Sequence, residues 1–110
     1  MRDDLAAAAS TVPGVKGYPK RPPAPRAGDA WPMFRSAPRD PESGQFFALW
    51  RVIVMLPQDE EAAIAFYDER MWAFVDAFQP YGYVDNLEPA RLQTSAGELM
   101  VFEIQLRGEM

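Results

Sequence analysis

The chain has 110 residues, 48% hydrophobic and 25% charged, with 11 Pro, no Cys and no His. That length suits one domain burying about two-thirds of its unfolded surface. The missing residue types exclude disulfides, thiolate nucleophiles, Cys-type zinc and Fe–S centres, imidazole bases and Ser-His-Asp triads, and the net charge of −5 speaks against phosphate-neutralising nucleic-acid binding.

Asp3 to Thr11 read as a short amphipathic helix. Asp3 and Asp4 favour its positive end, Leu5, Ala8, Ala9 and Val12 share one stripe, and Pro13-Gly14 stops it. Val15 to Tyr18 reads as a short strand or a loop. Seven of the prolines then fall between residues 19 and 44 (Pro19, Pro22, Pro23, Pro25, Pro32, Pro38, Pro41). Such a tract cannot continue a helix or occupy the centre of a sheet, so it is expected to run extended, partly as polyproline II. Trp31 and Phe34 argue against plain disorder. The tract is then either a surface loop pinned by those two rings or an arm that docks on a neighbouring subunit.

Gln45 to Leu56 carries the strongest strand pattern. Phe46, Ala48, Trp50, Val52, Val54 and Leu56 share one face, and Phe47, Leu49, Arg51, Ile53 and Met55 share the other, which predicts a central strand covered on both sides. Pro57-Gln58-Asp59-Glu60-Glu61 marks a helix start, with the acids in its first turn. That helix is expected to run to Phe78. Ala63, Tyr67, Met71, Phe74 and Phe78 form its apolar stripe, widened by Ile64 and Val75. Glu61, Asp68, Glu69 and Asp76 take the opposite side together with Trp72, which is either an interface residue or a ring lying along its own helix. Tyr83 to Thr94, interrupted near Pro89, and Glu98 to Arg107 follow as a hairpin around Ser95-Ala96-Gly97. On the second of these strands Met100, Phe102, Ile104 and Leu106 face the core, and Glu103 points outward. The pattern as a whole predicts a single α+β domain over residues 1–110, with a small mixed, mainly antiparallel sheet of about four strands flanked by two helices. The tract 19–44 is its extended arm or loop.

The net charge divides unevenly. Residues 1–44 hold seven Lys/Arg against five Asp/Glu, and residues 45–110 hold four against eleven. Six basic residues fall between Lys16 and Arg39, opposed only by Asp29. A cationic segment on an acidic body suits an acidic protein partner; with Tyr18, Trp31 and Phe34 it also suits base stacking. The start Met1-Arg2-Asp3-Asp4 is not that of a secretory signal. Phe46 to Leu56, interrupted by Arg51, falls short of the ~20 residues a spanning helix needs. There is no glycine-rich phosphate loop, and Asp68, Glu69 and Asp76 have the spacing of a solvated helix face rather than of a cation site. No catalytic, cofactor-binding or metal-ligating residue is therefore assigned. The interface candidates are Arg26, Trp31, Phe34, Arg35, Trp50, Arg51 and Trp72.

Several short phrases recur in a familiar order: Arg2-Asp3-Asp4-Leu5-Ala6, Val12-Pro13-Gly14-Val15, Gly17-Tyr18, Gly28-Asp29-Ala30-Trp31-Pro32, Val54-Met55-Leu56-Pro57-Gln58-Asp59-Glu60, an aromatic-rich helix, Leu87-Glu88-Pro89 and a last strand ending near Arg107. Over nearly its full length the chain resembles the small tail terminator proteins of long-tailed (siphovirus-type) bacteriophages, especially those infecting actinobacteria. The resemblance implies a non-enzymatic, cofactor-free virion protein with a small mixed sheet flanked by helices. It implies a homo-oligomeric ring of six that ends tail-tube polymerisation at the head-proximal end, assembled in the bacterial cytoplasm. Its partners would be the tail tube protein and the head–tail connector or neck proteins, with genomic DNA passing through the lumen without specific binding and no membrane involved. Another head–tail joining (neck or adaptor) protein, and a small ferredoxin-like ligand-binding domain, remain the alternative readings.

Overall fold

The computed structural model describes residues 1–95 and 97–109. The elements, in order, are helix α1 (Arg2–Ser10), strands β1 (Lys16–Gly17), β2 (Asp29–Ser36) and β3 (Phe47–Met55), helix α2 (Glu60–Phe78), a 3-10 turn (Gln79–Tyr81), and strands β4 (Tyr83–Thr94) and β5 (Gly97–Glu109). The five strands form one sheet in the order β1-β2-β3-β5-β4. Only the β1–β2 pair is parallel. This is an α+β fold.

Alternation along the strands sends even-numbered residues of β3 and β5 to one face. There Trp50, Val52, Val54, Phe102, Ile104 and Leu106 pack against Leu5, Ala9 and Val12 from the first helical segment and Phe74 and Phe78 from α2. Phe102 is the hub: Tyr67 and Phe74 meet it edge-on, with ring centres 5.1 and 5.3 Å away. Burying each such side chain contributes about 1.5–3 kcal/mol, so this face carries most of the hydrophobic stabilisation. Asp59 caps α2, its carboxylate accepting from the Ala62 N–H at 3.1 Å, as the acid-rich helix start predicts. The α1 end closes through the Thr11 hydroxyl, which donates to the Ala8 carbonyl at 2.6 Å. Gly14, at φ +78°, then turns the chain in a conformation that favours glycine.

The other face of the sheet is divided. At one end Trp31, Ile53, Met55 and Val101 form a second buried cluster, flanked by Tyr18, Ala90, Leu92 and Leu99. Further along, the face becomes polar: Arg51 pairs with Glu103 at 3.1 Å, and the Gln105 amide donates to Glu88 at 3.1 Å.

Two expectations are revised. The sheet has five strands rather than about four, because the 19–44 tract is divided and Asp29–Ser36 forms β2. Pro32 is accommodated there because the outer edge of β2 beyond Ala30 has no neighbouring strand, where a missing N–H costs least. Ile64, placed by periodicity in the buried stripe, is 55% exposed; the contact between α2 and the sheet is made by Ala63, Phe74 and Phe78 instead. The tight turn expected at Ser95-Ala96-Gly97 includes Ala96, which lies outside the described residues.

Candidate functional site

Helix α2 presents an acidic outer surface. Ile64, Asp68, Trp72 and Asp76 are four residues apart and therefore stack along one side of the helix. All four are exposed, Trp72 by 69%. Glu60, Glu61 and Glu69 extend the negative field around them. The helix's one cation, Arg70, is turned away from that surface. Its Nε donates to the Pro13 carbonyl at 2.8 Å, its guanidinium lies 4.0 Å from the Phe66 ring centre, and one nitrogen meets Glu69 at 3.3 Å. Arg70 therefore does not compensate the Trp72 side; from β4, Arg91 lines a groove that Glu60, Ile64 and Asp68 border.

Beside β2 lies a shallow depression of about 280 Å³ with the opposite character. It is lined by Trp31, Pro32 and Leu92, by the exposed Met33 and Phe34 on either side of the β2 edge, and by Arg2, Lys20 and Arg21. Two of these cations are held over aromatic faces. Arg2 sits 5.3 Å from the Trp50 ring centre and donates to the Pro32 carbonyl at 3.2 Å; Arg21 sits 6.0 Å from Trp31. Stacking of this kind fixes a guanidinium without neutralising it. Among the described residues no carboxylate forms an ion pair with Arg2, Lys20 or Arg21.

The seven interface candidates do not gather in one place. Phe34 borders the depression and packs edge-on against Trp50 at 5.2 Å. Trp31 is only 1% exposed and belongs to the outer-face cluster, so its ring is core rather than the tip of an arm. Trp50 is buried beneath α1 and β2. Arg51 is tied to Glu103 on the polar half of the outer face. Arg35 and Arg26 are exposed, and the Arg26 N–H donates to the Asp29 carboxylate at 2.9 Å, closing the loop before β2. Trp72 stands alone on α2. Three cations that were not among these candidates, Arg2, Lys20 and Arg21, border the depression; the basic stretch between Lys16 and Arg39 contains the last two, and no local signal in the sequence brings Arg2 to them.

A second cavity, an apolar groove of about 420 Å³, runs between α2 and the β4–β5 hairpin, with Ile64, Tyr67, Pro89 and Met100 among its walls. The described residues contain no group of three or more Asp or Glu arranged to hold a metal ion. Asp40 has a carboxyl held below its ordinary pKa, first by the Glu42 N–H and then by the Ser43 hydroxyl; it orders the turn between β2 and β3. No helix among the described residues is long and apolar enough to cross a membrane.

No family model, curated protein or solved structure matches the chain.

Proposed function

We propose that the protein is a ring-forming structural component of a bacteriophage tail, a tail terminator that caps the tube and joins tail to head. One observation carries the reading. The chain bears two non-overlapping surfaces of opposite charge, the Trp72 side of α2 over one face of the sheet and the Arg2–Lys20–Arg21 depression beside β2. Head-to-tail association of unlike surfaces generates closed rings when the rotation closes. The resemblance of its short phrases to those of tail terminators supplies the biological setting, and an excess of acids over residues 45–110 suits a passage that DNA must traverse without sticking.

The test is imaging of purified virions or isolated tails. Density for a ring of this chain at the head-proximal end of the tube supports the reading. Density on the neck side of that junction assigns the chain to an adaptor instead. Tails that assemble to normal length without the protein refute both.

A further inference from the structure

We infer that Trp72 is the anchor of the subunit contact and that it seats in the depression beside β2 of the next copy. The inference rests on the reading of the chain as a ring-forming subunit. It goes further by naming which two surfaces meet.

The chemistry of the two surfaces is reciprocal. Among the described residues Trp72 is the most exposed large apolar side chain, at 69%, and Trp is among the residue types that most often dominate binding energy. Asp68 and Asp76 stand one helical turn before and after it. The depression offers what such a knob needs: exposed apolar side chains, Met33 and Phe34, on either side of the β2 edge, and three cations around it, Arg2, Lys20 and Arg21. An indole placed at that edge brings Asp68 and Asp76 toward the cations, and lays its own face beside a guanidinium. Within one copy the two surfaces share no residue: Trp72 stands on α2, whereas the depression lies around the free edge of β2 and draws on Arg2 of α1, the loop after β1, β2 itself and Leu92 of β4. Every filled socket leaves a free knob on the next copy, and this is the head-to-tail arrangement that rings require.

The β-strand edges are poor substitutes for this contact. β4 carries Pro89 along with exposed Asp85, Glu88 and Arg91, and the free edge of β2 contains Pro32, whose carbonyl already accepts from Arg2. Prolines and charges at sheet edges are the usual protection against strand addition.

The experiment mixes two full-length variants. Trp72→Ala removes the knob and leaves the socket. Lys20→Glu with Arg21→Glu inverts two of the socket's cations and leaves the knob. All these positions are exposed, and circular dichroism checks that both variants fold. Sedimentation of the wild type at up to millimolar concentration is expected to show association. Each variant alone is expected to associate at least about 30-fold more weakly, the loss typical of removing one dominant contact. The equimolar mixture is expected to recover a single contact, giving a species of twice the 12.4 kDa protomer mass that grows no further. Since Trp31 is 1% and Trp50 9% exposed, iodide quenching reports chiefly on Trp72 and is expected to fall on association. A wild type that stays monomeric, variants that associate as the wild type does, or a mixture that stays monomeric overturns the pairing. Rings at the tail end that form with each variant as they do with the wild type overturn the pairing and leave the terminator reading standing. A recovered contact in a protein absent from tails does the reverse.

Discussion

Trp31→Ala removes a ring that is 1% exposed and packed among Ile53, Met55 and Val101. Truncating a buried Trp to Ala costs about 3–5 kcal/mol in lost transfer energy and cavity formation. One structural detail reduces that figure. The Trp31 indole N–H is buried without a hydrogen-bond partner, and an unsatisfied buried donor already costs about 1–3 kcal/mol. The net loss is therefore expected to be about 2–3 kcal/mol, a large part of the ~5–15 kcal/mol that keeps a domain folded. Phe34 provides the contrast. It is 45% exposed and contributes mainly its edge contact with Trp50, so Phe34→Ala is expected to cost about 1 kcal/mol. In urea, with a slope of roughly 1–3 kcal/mol per molar for a small domain, Trp31→Ala lowers the midpoint by about 1–2 M at unchanged slope. Trp31→Phe keeps most of the packing and sheds the orphaned N–H, and stays within about 1 kcal/mol of the wild type. If Trp31→Ala unfolds within about 0.5 kcal/mol of the wild type yet loses self-association, the core assignment is refuted and the ring belongs to a docking arm.

Gly17→Ala is expected to destabilise by about 1–3 kcal/mol, because the new Cβ collides with the Ala6 carbonyl oxygen, backbone against backbone, where α1 crosses β1; a melting temperature equal to or above the wild type's refutes that close approach. Glu103→Gln takes the charged partner from Arg51, whose Nε is already buried and unpartnered. With the two side chains 15% and 36% exposed, the loss is expected to be about 1 kcal/mol, between an exposed and a fully buried pair, and equal urea midpoints at low and high salt for both proteins count against it. Asp40 titrates below its ordinary value because the Glu42 N–H and the Ser43 hydroxyl bond its ionised form. Its contribution is thus present above the unfolded carboxylate pKa and is lost as pH falls through the lowered folded value. An NMR titration of the Glu42 amide with a midpoint at or above that of an ordinary Asp removes the basis for this.

Where a pattern was local, the sequence was enough to read it. The stripe of Leu5, Ala8, Ala9 and Val12 is buried in the structure, and the two-residue alternation of β3 and β5 sorts Val52, Val54, Phe102 and Ile104 from Arg51 and Glu103. Asp59 caps α2 as its position before two acids suggests. β2 was not legible, because its seven neighbouring and internal prolines speak for a loop, while its strand character comes from pairing with β3, some twenty residues onward. Strand propensity of this kind measures packing against partners rather than an intrinsic preference. The acidic side of α2 and the exposure of Trp72 follow from helical periodicity alone. The depression does not, since it collects Arg2 from α1, Lys20 and Arg21 from the loop after β1, and Met33 and Phe34 from β2.

The division of charge near residue 44 takes on a different meaning once the fold is known. The basic stretch is not an arm projecting from an acidic body, because β2 anchors its middle through Trp31 and Pro32, both buried. What remains available for contact is a rim of which two cations, Arg2 and Arg21, are already oriented by Trp50 and Trp31. Rigid surfaces lose little conformational entropy on docking. The opposing surface is equally preformed, because Trp72 rides on a helix of 19 residues pinned at Phe74 and Phe78. In the proposed contact, two preformed surfaces set one rotation between successive copies, and whether that rotation closes on itself decides between a ring and an open filament.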